Sequence, residues 1–371
     1  MNSQRTRLRS PLAVILTALV LLPVAVLFAR VWQENSDQRT QTDLEKKGIE
    51  YITALSPLIS ALTEAQSSAL QGVNGTPESL TAAVTNVAAV DQRLGADLKT
   101  RERWADLQSK IANLANVSGG GLAVYQAHVE VTDLTLALYG AVRRNAELSL
   151  DPDNDISALQ QAVTADMPSV LVLVSQMGDV ANLLQTATGT ARAALSLEFG
   201  EKVIAVEKAV NSLTESLQAA VDSTDSTTLS GSLVNTLDSF RRGVETMTRG
   251  ANPGGRPNIG TISTAQTALQ SSLNTLAGVT LKEMEGLLDE RMDGLDYRRG
   301  EAIVIGLLAL LLVLGAVLWP IFGRRLTAPP AAAPDEPAAN RTPGAYGPQY
   351  DLQPNFGEFD PTRRERSGAL R

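Results

Sequence analysis

The chain has no cysteine and a single histidine, and aromatic side chains make up 4% of its 371 residues. The first absence removes disulfides, thiolate metal sites and thiol nucleophiles together. One imidazole cannot build a multi-histidine metal centre and leaves little choice for a Ser-His-Asp triad. Positive charge is also in deficit. The net charge of −8 argues against nucleic acid as a partner. No phosphate loop, nucleophile–base pair or metal set can be assembled, so neither catalysis nor a cofactor is expected. What the chain has in abundance is Ala, Leu, Val, Thr and Gln, which suits a narrow helical bundle better than a broad globular core.

Two long apolar runs frame the sequence. Ala302–Phe322 (AIVIGLLALLLVLGAVLWPIF) carries no charge and is long enough, at 1.5 Å per residue, to cross a bilayer core of about 30 Å. Pro11–Ala29 (PLAVILTALVLLPVAVLFA) follows Arg5, Arg7 and Arg9, and its Pro23 is tolerable as a kink in a membrane helix. A signal peptide is the rival reading of this first run. Its length, and the Arg30-Val31-Trp32 that follows in place of a small-residue cleavage site, favour an anchor. The expected organisation is a cytoplasmic start over 1–10, a span over 11–32, a helical body over 33–301, a second span over 302–322 and a tail over 323–371. Arg5, Arg7, Arg9, Arg324 and Arg325 on the flanks put both termini in the cytoplasm and the body outside. The segment 328–371 holds eight of the seventeen prolines and few aliphatic residues, a composition that predicts disorder.

Between the spans the periodicity predicts an all-α body. Ile52, Leu55, Ile59, Leu62, Gln66, Ala69 and Val73 recur in a 3-4-3-4 rhythm, a stripe facing partner helices. Asn74-Gly75-Thr76-Pro77-Glu78 ends that helix and starts a second, whose seam runs from Leu80 through Asp91 and Leu98 to Leu114. After Gly119-Gly120-Gly121 comes a third helix over about 122–148. A fourth runs over about 156–221, bending at Gly189 or Gly200. A fifth is marked by Leu237, Phe240 and Met247, and a sixth by Leu269 through Leu295 continues into the second span. Six helices of unequal length suggest two stacked four-helix modules; one elongated coiled-coil-like bundle is the alternative.

Candidate sites are few. Arg143 falls on the seam of the third helix, and Gln66 stands at a similar height on the first if the two are antiparallel. An inward guanidinium and amide form a candidate pocket for a small anion, unless Asp91 neutralises Arg143. His128 reads as a core histidine. Asp151-x-Asp153-x-Asp155 has the spacing of a calcium loop, but Ile156 replaces the glycine and Ala162 the glutamate such a loop needs, so a turn and helix cap explain it better.

Two local patterns carry a resemblance. Gly48-Ile49-Glu50-Tyr51 before Leu55-Ser56-Pro57-Leu58, and Leu148-Ser149-Leu150-Asp151-Pro152-Asp153-Asn154-Asp155 before Met167-Pro168, resemble the helical-bundle sensor regions of bacterial chemoreceptors and membrane sensor kinases. The likeness covers about residues 44–185 and is architectural over 186–300. The chain departs from the family at Ala65-Gln66-Ser67-Ser68, where members often carry His-Arg-Gly. It departs again after Arg325-Leu326-Thr327-Ala328-Pro329, where the relay and transmitter do not follow. The resemblance implies a two-span sensor in a bacterial cytoplasmic membrane, paired as a homodimer with Gly306 and Gly315 allowing close span contact. It also implies signalling through a partner kinase or receptor. A structural scaffold of the cell envelope with no small ligand is the alternative function.

Overall fold

The computed structural model describes the backbone of residues 9–322 apart from Asn74, Leu150, Pro152, 224–226 and 252–255; side chains at 9–18, 20, 227–230, 232–236 and 316–322 lie outside the description. Contacts divide the chain into units 1–311 and 312–371. The described part of the second is the helical run 312–322, and the tail expected over 323–371 lies outside the described residues.

Every regular element among the described residues is helical: α1 (Arg9–Leu70), α2 (Glu78–Leu94), α3 (Arg101–Asn113), α4 (Gly121–Asn145), α5 (Asn154–Gln161), α6 (Met167–Thr186), α7 (Gly189–Ser223), α8 (Thr227–Ala251) and α9 (Ile259–Phe322). A one-turn π segment, Ala162–Asp166, joins α5 and α6 into one rod. The expected stripe on α1 is the spine of the core. Ile49, Ile52, Leu55, Ile59 and Leu62 are all buried, with Tyr51 and Leu58 beside them.

Side-chain ties fix the directions of the first unit. Lys47 pairs with Asp97 at 2.9 Å and Tyr51 with Asp91 at 2.9 Å, which sets α2 antiparallel to α1. On α9, Asn274 meets Ser60 at 2.7 Å, Asp289 meets Lys46, and Asp296 meets Arg39 at 3.2 Å, so α9 descends along α1 in constant register. Ser212 and Ser216 of α7 reach Asp166, and Lys202 reaches Gln176, so α7 runs back along the α5–α6 rod. Proceeding from α1, the helices alternate in direction beside the same stretch of that helix. The two stacked modules expected from helix lengths are therefore not formed; the helices lie side by side.

Two expected long helices are each two helices. The second breaks between Leu94 and Arg101, where Lys99 takes φ 52 and the Thr100 amide donates to Gly95 O at 3.0 Å. α4 ends in the same way, with Glu147 at φ 57 and the Leu148 amide donating to Arg143 O at 2.9 Å. Both are Schellman-type closures with an ordinary residue in the left-handed position that glycine usually holds. The fourth does not run unbroken to 221. It ends at Thr186, Gly189 turns the chain at φ 59, and α7 packs back. Gly48 permits the close approach of α1 to the end of α4, since a Cβ there would collide with Ala146 and Leu148.

Among the described residues one stretch is long and apolar enough to cross a membrane, Asn154–Thr186, and 78% of its apolar window is buried inside the bundle, as in a core helix. One such stretch is found rather than the two expected, because 11–32 and 302–322 both run into residues whose side chains lie outside the description. Their described parts are nonetheless bare. Leu22 is 68% exposed and Leu311 63%, with Leu19, Leu27, Val31, Ile303, Leu307 and Leu308 similarly uncovered. The two stretches lie together, since a Cβ on Gly306 would stand 3.2 Å from the Phe28 ring. That glycine, expected to serve a second copy, is faced by Phe28 of its own chain. Trp32 stacks on Phe28, and the Arg299 guanidinium lies 4.8 Å from the Trp32 ring centre.

Candidate functional site

Arg291 of α9 gathers the first polar cluster. Its guanidinium donates to both oxygens of Asp151, at 2.7 and 2.9 Å, and to Asp153, with Glu45 of α1 at 3.4 Å. The Asp151 and Glu45 side chains are fully buried. Burial, and then the Asp151 charge beside it, pushes the Glu45 carboxyl up to about 8, against the pull of Arg291. Burial works against the Arg291 charge, but its carboxylate partners outweigh it and hold the guanidinium above its usual range. Asp151 also accepts the Asp153 amide at 2.8 Å, a local turn of the kind its spacing suggests. Asp155 accepts the amide of Ile156. Among the described residues no group of three or more His, Cys, Asp or Glu side chains is placed to hold a metal ion. An open polar cleft of about 1150 Å3 adjoins the cluster, lined by Gln41, Thr42, Asp155, Arg291 and Arg298 among others.

Arg143 and Gln66 do not meet. Arg143 donates to Gln161, which in turn donates to Asp166 at 3.1 Å; Gln66 donates to Asp179 at 2.8 Å. Gln161 and Asp179 stand eighteen residues apart on the α5–α6 rod, roughly 27 Å at 1.5 Å per residue. The anion pocket expected from this pair is not assembled, because α4 enters at the far end of the bundle and brings Arg143 level with the Gly48 region of α1. Asp91 does not neutralise Arg143 either; it accepts from Tyr51 and from Thr100, the latter at 2.6 Å.

Asp179 forms the second cluster. It is 1% exposed and accepts from Gln66, Ser67 and Ser175. Burial pushes its carboxyl up to about 7, opposed by those hydrogen bonds. Gln266 of α9 closes over Gly178, where a Cβ would collide with its amide, and reaches Ser67 at 3.4 Å.

At the distal end an open pocket of about 100 Å3 lies between α1, α2, α3, α4 and the α1–α2 loop, lined by Ala69, Val73, Thr76, Pro77, Leu80 and His128 among others. His128 is buried as expected of a core residue, and desolvation lowers its pKa to about 4. Its Nδ1 has no hydrogen-bond partner.

Glu45, Arg291 and Asp179 were not found by sequence reasoning. Glu45 lies on the α1 stripe, one step before Ile49 and Ile52, so a charge inside an apolar rhythm was the available signal. Arg291 continues the Met284–Leu288 rhythm of α9 in the same way. Asp179 gave none, because α6 is buried on nearly every side and has no polar face to mark it as unusual.

Comparison with protein-family models, with curated proteins and with solved structures gives no match for this chain.

Proposed function

We propose that this chain is a receptor-like protein of a bacterial cytoplasmic membrane, whose helical body meets an extracytoplasmic cue and passes the change to a partner protein through α1 and α9. The observation that carries the membrane reading is the bare apolar surface on the paired ends of those helices. Exposed apolar area of this extent is costly in water and costless in lipid. At its edge Trp32 and Arg299 stack together, and an aromatic ring with a cation suits the headgroup layer. The sensing reading rests on connectivity. Arg291 ties α9, α1 and the α4–α5 turn into one cluster, so a displaced turn pulls on both helices that continue toward the membrane. A homodimer, and a kinase or full-length receptor as the converter of the signal, complete this reading.

Cross-linking the full chain in native membranes tests it. A sensor kinase or receptor should be recovered, and the cross-link should be lost when residues 324–371 are removed or the spans are exchanged. Recovery of envelope-building proteins alone would replace the receptor with a structural scaffold.

A further inference from the structure

We infer that Glu45 and Asp151 share one buried proton, and that this proton is a latch holding the α4–α5 turn against α1. The inference rests on the receptor reading and deepens it by naming the cue as a fall in proton concentration around the body. Its test follows the body alone, so its failure and a failed cross-linking are separate results.

A charge count comes first. Three carboxyl groups, on Glu45, Asp151 and Asp153, surround the guanidinium of Arg291, and the Glu45 and Asp151 side chains are fully buried. The other side chains bonded to that buried pair are neutral amides: Gln41 donates to Glu45 at 3.0 Å, and Gln160 of α5 reaches Asp151 at 3.5 Å. The end of α4 adds only Ala146 and Leu148, beside Gly48. Lys46 and Asp289, on the two helices that carry Glu45 and Arg291, are exposed and pair with each other. Asp155 and Glu290 stand in the open cleft. Fully ionised, three carboxylates against one guanidinium would put two like charges side by side out of water. The Glu45 and Asp151 carboxyls are instead hydrogen-bonded to each other. An ionised carboxylate only accepts, so that bond requires a proton on one of them.

What its loss does follows from where Arg291 is committed. The guanidinium takes both oxygens of Asp151 and one of Asp153, leaving Glu45 a contact of 3.4 Å. Ionised Glu45 therefore exchanges a hydrogen bond for repulsion, while Arg291 stays with the turn. The turn then moves off α1, and the junction of α1, α9 and the turn loosens on the side of the bundle that leads to the apolar ends. Burial and the Asp151 charge place this loss at about pH 8, so the latch is closed at neutral pH. Gln41 and Arg291 also line the open cleft, which gives the proton a route to solvent.

Because the chain contains no cysteine, two spin labels can be placed in it without background. Thr85→Cys on α2 and Asn154→Cys at the start of α5 are both at exposed positions. In the full chain in lipid nanodiscs, the distance between these labels should lengthen as pH rises through about 8, with helicity unchanged. Glu45→Gln keeps an amide donor for Asp151 at every pH, and should hold the short distance throughout. Asp179→Asn removes the other raised carboxyl and should leave the response intact. Infrared spectra of the chain with 13C-labelled glutamate carboxyls read the proton directly, whether or not Glu45→Gln folds. The band of a protonated glutamic acid should be present at neutral pH and disappear over the interval in which the distance lengthens. A distance that does not change with pH, lengthening that survives in Glu45→Gln or is lost in Asp179→Asn, or no such band at neutral pH would each overturn the assignment.

Discussion

At Arg291 one guanidinium faces three carboxylates, two of them with fully buried side chains. Removing it leaves buried acid without its counter-charge, which typically costs 3–5 kcal/mol, whereas a surface pair such as Arg249–Glu245 is worth about 0–1 kcal/mol. Arg291→Ala should therefore lower the free energy of unfolding by about 3–5 kcal/mol in a urea titration, and Arg249→Ala should leave it nearly unchanged. The buried acids also set a pH dependence. Asp179 rises from 3.8 to about 7 on folding, so the folded chain keeps a proton that the unfolded chain has released. Its contribution to stability is full below pH 3.8 and is lost as pH rises through 7. Glu45, raised from 4.5 to about 8, extends the loss to that pH. His128 acts oppositely: lowered from 6.5 to about 4, it costs stability as pH falls through that interval. Asp179→Asn should flatten the decline in melting temperature between pH 4 and 7, a window in which one such group changes stability by on the order of 1 kcal/mol per pH unit.

Two of the turns that join the elements have a chemistry unusual for their shape. Lys99 and Glu147 occupy the left-handed region, at φ 52 and 57, where a Cβ crowds the following carbonyl. Lys99→Gly and Glu147→Gly should each stabilise the bundle by up to about 1 kcal/mol in chemical denaturation, the strain relieved outweighing the extra freedom of the unfolded chain. Neither residue marks a break in the sequence, because a helix stop is read from glycine, asparagine or proline. That is why the second expected helix ran straight through Lys99. At Gly189 the signal was present, but a helix bend and a full reversal look alike in sequence, and packing of α7 on α5 and α6 decides between them. The π turn at Ala162–Asp166 is similarly silent, although it turns Asp166 toward Ser212 and Ser216.

Across the first unit, the side-by-side arrangement has a thermodynamic consequence. Stacked modules would share only the helices running between them and could melt separately; here α2, α6 and α9 hydrogen-bond to the same length of α1, and the end of α4 packs against it at Gly48. The body should unfold in a single transition, with helical circular dichroism and the fluorescence of the buried Trp104 changing together, using a chain in which Trp32 and Trp319 are replaced by Phe. Two separated transitions would restore the modular picture.

The amino-acid sequence by itself determined the all-helical class, the apolar framing stretches, the α1 stripe and the turn at Asp151–Asp155. Each of these is a local pattern, set by periodicity or turn chemistry within a few residues. Tertiary structure alone decided which helix lies beside which, and so which polar residues meet. Arg143 found Gln161 rather than Gln66, Asp91 found Tyr51 and Thr100, and Arg291 found an acid turn well over a hundred residues earlier. The physical reason is that a seam position specifies burial but not height. Height depends on where each reversal falls, and one of those reversals, at Lys99, is held by a residue that carries no mark of a turn.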